Sequence, residues 1–163
     1  MQGGVLAAEA YAVHCEYLAS KRELYDPRVA NRILHGREQS AAEYLELIHA
    51  RDALQRRVDE RLAEYDAVLL PTVAIIAPLL QELQSDEAYL RINQLVLRNT
   101  AVANFLDRCA VSVPIQEPGE APVGLMLIGA NGDDRRLLAI AAAVEPLVCP
   151  PRHLSVGVRE RSP

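Results

Sequence analysis

The segment Asn104–Gly129, "NFLDRCAVSVPIQEPGEAPVGLMLIG", decides the fold. Within it "AVSVPI" (110–115) and "VGLMLIG" (123–129) are apolar runs of strand length, and the "QEPGEAP" between them gathers the Pro and Gly of a turn. Two such runs joined by a short loop predict an antiparallel strand pair of hairpin type. A third strand is expected upstream at "DAVLLPT", Asp66–Thr72. Leucine and β-branched residues run there without alternation until proline ends them, the pattern of a short buried strand.

Helical patterns surround these strands. Residues 5–20 place Leu6, Ala10, Val13, Tyr17 and Leu18 at three- and four-residue steps, which makes one helix face apolar. Asp26 before Pro27 reads as an N-cap and first helical residue, with Gly36 as the stop. Ser40 and Glu43 have capping-box spacing, and from them a long helix is expected to about Tyr65, striped by Tyr44, Leu47, Ile48, Leu54, Val58 and Leu62. Arg51 interrupts that stripe, as an ion pair or with its stem packed and its head in water. Residues 85–103 form a further helix capped by Ser85, and "NGDDRRLLAIAAAVE" closes the domain as a helix begun at Asp133 or Asp134. Residues 149–163, "CPPRHLSVGVRERSP", are expected as an irregular tail. The expectation is an α/β fold over residues 1–148: helices layered on a small mixed sheet that contains an antiparallel strand pair.

Composition narrows the function. The chain has 163 residues, 50% of them hydrophobic and 24% charged, enough apolar content to bury a core. Pro71 and Pro78 break the longest apolar run below the roughly 20 residues that span a bilayer, so no membrane association is expected. The amino terminus lacks the basic and apolar regions of a secretory signal. Three widely spaced cysteines (Cys15, Cys109, Cys149) do not make a disulfide framework, and a reducing cytoplasm is the default. A net charge of −5 without a basic block leaves the counterion-release term of nucleic-acid binding without a source, so no nucleic-acid ligand is expected. The four histidines show no metal spacing, and neither a metal nor a cofactor is expected. "GANGDD" (129–134) has two aspartates where a phosphate would sit, so it reads as a helix cap.

Taken together, "EAYAVHCEY", "RILHGREQSAAEY", "YDAVLLPT", "NFLDRCAVSVPI" and "PVGLMLIGANGDDRRLLAIAAAVE" resemble, in order and spacing, the carboxy-terminal portion of the amidase signature family. The resemblance implies a hydrolase of C–N amide bonds that uses a Ser–Ser–Lys triad without metal or cofactor, the triad lying in the amino-terminal portion. That region has no counterpart here. Ser20, Ser40, Ser85, Ser112, Ser155 and Ser162 are never adjacent or in a glycine-rich setting, and the single lysine, Lys21, follows Ser20 on a helix where successive side chains diverge.

Four residues remain as candidates for substrate binding: Arg32, Asn104, Asp107 and Cys109. Arg32 matches a position where the amidotransferase branch grips a substrate carboxylate, and it also suits an ordinary helix C-terminus. The aspartate of that branch aligns near Leu97, which turns the reading toward general amidases or allophanate hydrolases. Asn104 and Asp107 suit a cap or turn, and Cys109 a small core position. The chain is thus expected to supply fold and pocket wall but no catalytic residue, with a small amide as substrate only in the complete enzyme. Its expected partners are an amino-terminal amidase half or a second copy of itself. The alternative is a stand-alone, non-catalytic binding or interaction module derived from the same fold.

Overall fold

The computed structural model describes residues 4–117 and 119–148. The expected tail, 149–163, lies outside them. Within the stretch expected as one domain the chain forms two compact units that meet at Glu64 and Tyr65.

The first unit is helical: α1 (Val5–Lys21), α2 (Pro27–Leu34) and α3 (Ala41–Leu62), with 3-10 turns at Arg22–Leu24 and His35–Glu38. Its core is Leu18, Ala30 and Ile33, flanked by Ala10, Tyr11, Tyr25, Val29 and Leu34. Asp26 caps α2 as expected, its Oδ1 accepting from the N–H groups of Arg28 (2.8 Å) and Val29 (3.3 Å), with Pro27 behind it. The capping box at α3 is complete: Glu43 N–H donates to Ser40 Oγ (3.2 Å), and Ser40 N–H donates to the Glu43 carboxylate (2.8 Å). Those two Ser40 donors, backbone first and hydroxyl second, hold the Glu43 carboxyl below its ordinary value. The Tyr44 hydroxyl donates to Glu9 Oε1 (3.1 Å), which joins α3 to α1 and raises the phenol's pKa.

Gly36 has a different task from the one its position suggests. α2 stops at Leu34, and Gly36 sits within the following 3-10 turn, buried against α1. A Cβ there would lie 2.0 Å from the Ala7 carbonyl oxygen and 2.4 Å from its carbon. The glycine lets two backbones touch.

The second unit contains β1 (Val68–Pro71), α4 (Asp86–Phe105), β2 (Ala110–Pro114), β3 (Gly124–Ile128) and α5 (Asp134–Val148), with a 3-10 turn at Leu80–Leu83. The class is α/β, and the three strands run in the order β1-β3-β2. The hairpin pair is present, Ala110 opposite Ile128 through Pro114 opposite Gly124. β1 is also antiparallel to β3, Val68 opposite Ile128, so the sheet is antiparallel throughout rather than mixed. The physical reason is that the latest strand in the sequence occupies the centre and reverses direction against both neighbours.

Strand alternation gives this sheet two faces. Leu127 and Val113 pack with Leu137 and Ala141 of α5, and Met126 and Ile128 pack with Ala103 of α4. β1 is not the buried strand its apolar run suggests: it is an edge, and Leu69 is 56% exposed. An Arg136–Asp66 ion pair ties α5 to the approach to β1, but both side chains are more than half exposed, so it adds little stability.

Candidate functional site

The expected site residues Asp107 and Cys109 come together where α4 turns into β2. α4 closes with two reversed hydrogen bonds, Asp107 N–H to Asn104 O (3.2 Å) and Arg108 N–H to Ala103 O (3.1 Å). These are the bonds of a Schellman termination, whose turning residue takes left-handed backbone and is usually glycine. Here it is Asp107, at φ 55°. Aspartate is among the few side chains that tolerate this region, and it gains a compensating contact. Asn131 Nδ2 donates both to Asp107 O (2.6 Å) and to Asp107 Oδ2 (2.9 Å).

Three further bonds fasten the same turn to the end of β3. Gly129 N–H donates to Cys109 O (3.0 Å), Arg108 Nη1 to Gly129 O (3.2 Å) and the Cys109 thiol to Ala130 O (3.0 Å). Cys109 also packs against the α5 core. Chemically the cluster is an anchor, with an accepting carboxylate and a donating thiol. Asn104 stands exposed in the last turn of α4. Arg32 stands exposed in the last turn of α2, in the other unit. Asn131 was missed in the sequence because its partner is 24 residues away and "GANGDD" reads as a cap.

A second polar group lies on the α4 side of the sheet. The hydroxyls of Thr72, just past the end of β1, and Ser112 of β2 meet at 2.6 Å across the position of Gly124. A Cβ on Gly124 would be 2.4 Å from Ser112 Oγ and 2.7 Å from Thr72 Oγ1, so the bridge occupies the space a side chain would take. Asn99 of α4 adds a bond from Nδ2 to Pro71 O (2.7 Å), fixing the end of β1. A lone glycine opening an apolar strand is the sequence signal that could have found this bridge.

Gly124→Ala is expected to separate the two hydroxyls and destabilise the second unit by about 1 kcal/mol, the net worth of a neutral hydrogen bond. The loss should shrink in a Ser112→Ala background. Urea unfolding followed by NMR of residues in the sheet checks this, and an unchanged midpoint for Gly124→Ala would show that the bridge contributes nothing.

Among the described residues, no group of three His, Cys, Asp or Glu side chains could hold a metal ion. No described helix is long and apolar enough to cross a membrane.

The amidase family's sequence profile matches residues 5–138. The 2-amino-5-chloromuconic acid deaminase of Comamonas testosteroni is 32% identical over 152 residues, which takes in 90% of this chain and 32% of that protein. One component of the glutamyl-tRNA(Gln) amidotransferase of Cenarchaeum symbiosum is 33% identical over 150 residues, 89% of this chain and 30% of that protein. Allophanate hydrolase from Kluyveromyces lactis has the same fold over 91% of this chain and 24% of its own, with a TM-score of 0.76 at 25% identity. The chain spans about a third of the length of the curated relatives it matches. With the profile running through α1 to α3 and on through all three strands into α5, the chain belongs to the amidase family.

Proposed function

We propose that this chain is the carboxy-terminal portion of an amidase-family hydrolase acting on carbon–nitrogen amide bonds. On this reading it supplies fold and one wall of the substrate pocket, while the nucleophile comes from sequence it does not contain. The observation that carries the reading is how its serines are used. Ser20 Oγ donates to Glu16 O (2.9 Å), Ser40 Oγ and Ser85 Oγ accept from the N–H groups of Glu43 (3.2 Å) and Ala88 (3.1 Å), and Ser112 Oγ bonds Thr72 Oγ1 (2.6 Å). Ser155 and Ser162 lie outside the described residues. Each described hydroxyl thus serves a helix or the sheet, whereas a serine nucleophile needs a base within hydrogen-bond reach and donors aimed at the developing oxyanion.

Support also comes from the chain's share of its relatives, about a third, and from the C–N chemistry in the names of the deaminase and the amidotransferase. The partner is the amino-terminal portion of an amidase, and a small amide is bound only in the complete assembly. Asp107 and Cys109 shape the pocket wall by holding the α4–β2 turn, and the exposed Asn104 of the same unit contacts substrate; Arg32, in the other unit, is a separate candidate for substrate contact in the complete enzyme. Cys15 and Cys109 are free thiols, which fits a reducing cytoplasm.

The purified chain, incubated with a panel of aliphatic and aromatic amides, is expected to release no ammonia or amine above the buffer blank. Turnover by the chain alone that disappears in Ser112→Ala would overturn the proposal.

A further inference from the structure

Asn131 precedes Gly132, and the pair forms the centre of a turn. Asp133 N–H donates to Ala130 O (3.2 Å), Gly132 has φ +76°, and Asn131 keeps a negative φ. That combination is a type II turn, whose third residue takes left-handed backbone and favours glycine. An asparagine before glycine is also the pair best suited to lose its side-chain amide. The next residue's backbone nitrogen attacks Cγ, and glycine leaves that nitrogen uncrowded by a Cβ. The space around Gly132 is open, with nothing within 4 Å of where a Cβ would stand. The other asparagines, Asn31, Asn93, Asn99 and Asn104, lie inside α2 and α4 and precede Arg, Gln, Thr and Phe. There the attacking N–H is committed to the helix ladder.

The fold keeps the reactive pair apart in two ways. In a type II turn the second residue has ψ near about +120°, whereas closing a five-membered ring needs its carbonyl carbon rotated so that the next nitrogen faces the side chain. Asn131 Nδ2 also donates to Asp107 O (2.6 Å) and Asp107 Oδ2 (2.9 Å), which fixes the side chain away from Gly132. Ring closure therefore requires the turn to open and Asn131 to leave Asp107.

We propose that Asn131–Gly132 is a deamidation site that Asp107 holds shut, and that its reaction releases the α4–β2 turn. The bond from Gly132 N to Asn131 Cγ forms as the Cγ–Nδ2 bond breaks. The glycine N–H proton leaves with the amide as ammonia, and water then opens the cyclic imide to aspartate or isoaspartate. No electrons are gained or lost. The new carboxylate has no hydrogen to donate, and it faces the Asp107 carbonyl and carboxylate. Two attractions become repulsions, and Asp107 loses the contact that offsets its left-handed backbone. All reacting atoms belong to two adjoining residues, so the site is independent of the catalytic reading and of whatever covers this chain elsewhere.

Peptide mapping by mass spectrometry of the full chain, held at mildly alkaline pH with and without urea, tests it. Acid is expected at Asn131 before the other asparagines in both conditions, and at least ~10-fold faster in urea, where the two bonds to Asp107 are gone. Asp107→Gly keeps the left-handed turn without the carboxylate and should speed the folded reaction several-fold. If that variant fails to fold, the wild-type comparison in urea decides the gating alone. Asn131→Asp imitates the product. Its Arg108 and Gly129 amides, bonded to Ala103 O and Cys109 O, should exchange hydrogen about 10-fold faster while exchange between β1 and β3 is unchanged. A folded chain that forms acid first at another asparagine, or none at Asn131, would overturn the site. Equal rates with and without urea would overturn the gating by Asp107, and unchanged Arg108 exchange in Asn131→Asp would overturn the release.

Discussion

Gly36→Ala is expected to break the packing of α1 against the turn after α2 and to leave the second unit folded. The added methyl carbon would sit 2.0 Å from the Ala7 carbonyl oxygen, 2.4 Å from the carbonyl carbon and 2.9 Å from Ala8 N. These are backbone atoms of a helix, so no rotamer change relieves the clash. Either α1 shifts by more than an ångström or the turn opens. Overpacking of flexible cores costs about 1–3 kcal/mol, and a backbone obstacle belongs at or above the top of that range. In a unit this small that lowers the melting temperature by roughly 12 °C or more.

The unit has little to set against such a loss, because among the described residues its buried cluster is Leu18, Ala30 and Ile33, and α3 buries no residue fully. Gly132→Ala is the informative comparison. Gly132 has φ +76° with nothing within 4 Å of a Cβ, so it pays only for left-handed backbone, about 1–2 kcal/mol, and in the other unit. Thermal unfolding followed by NMR resolves the two units. A Gly36→Ala protein that keeps the wild-type Ala7 and Ala8 amide shifts and melting temperature would refute the close approach.

The same glycine shows how far the sequence could be read. Its place after a helix was legible, because caps and stops depend on neighbours within a turn, and Asp26, Ser40, Glu43 and Ser85 were legible for that reason. Its contact with Ala7 was not, since 28 residues of chain intervene and no local rule reports on them. The strands divide in the same way. "VLLP" and "GLMLI" are both unbroken apolar runs, and periodicity cannot say which is central and which is an edge. That depends on partners, and β3 became central only by pairing with a strand more than 50 residues upstream.

At the candidate site, Asp107 could be assigned to a turn from its residue type, while the Asn131 side chain that holds it and the Thr72 partner of Ser112 are long-range facts. Arg32 and Asp107 looked like members of one set in the sequence. The structure assigns them to different units.

Leu127→Ala is expected to cost about 3–5 kcal/mol, the upper range for truncating a fully enclosed leucine. Leu127 has no exposed surface and lies in the central strand, with Val113, Leu137 and Ala141 as its buried neighbours. Removing its branch leaves a cavity bounded by a strand on each side and by α5 above, and hydrogen-bonded strands cannot collapse sideways to fill it. Its neighbour in register, Leu69, sits on the same face at the β1 edge and is 56% exposed. Leu69→Ala loses little buried area and should cost under about 1 kcal/mol. The two substitutions delete identical atoms one strand apart, so the difference between them measures centrality alone. Since whole domains are stable by only about 5–15 kcal/mol, the Leu127 variant should lose the hairpin register, and with it the Cys109–Gly129 bond that holds the α4–β2 turn. Urea unfolding of both variants gives the two numbers. Equal destabilisation would mean that the sheet continues past β1 and that Leu69 is no longer at an edge.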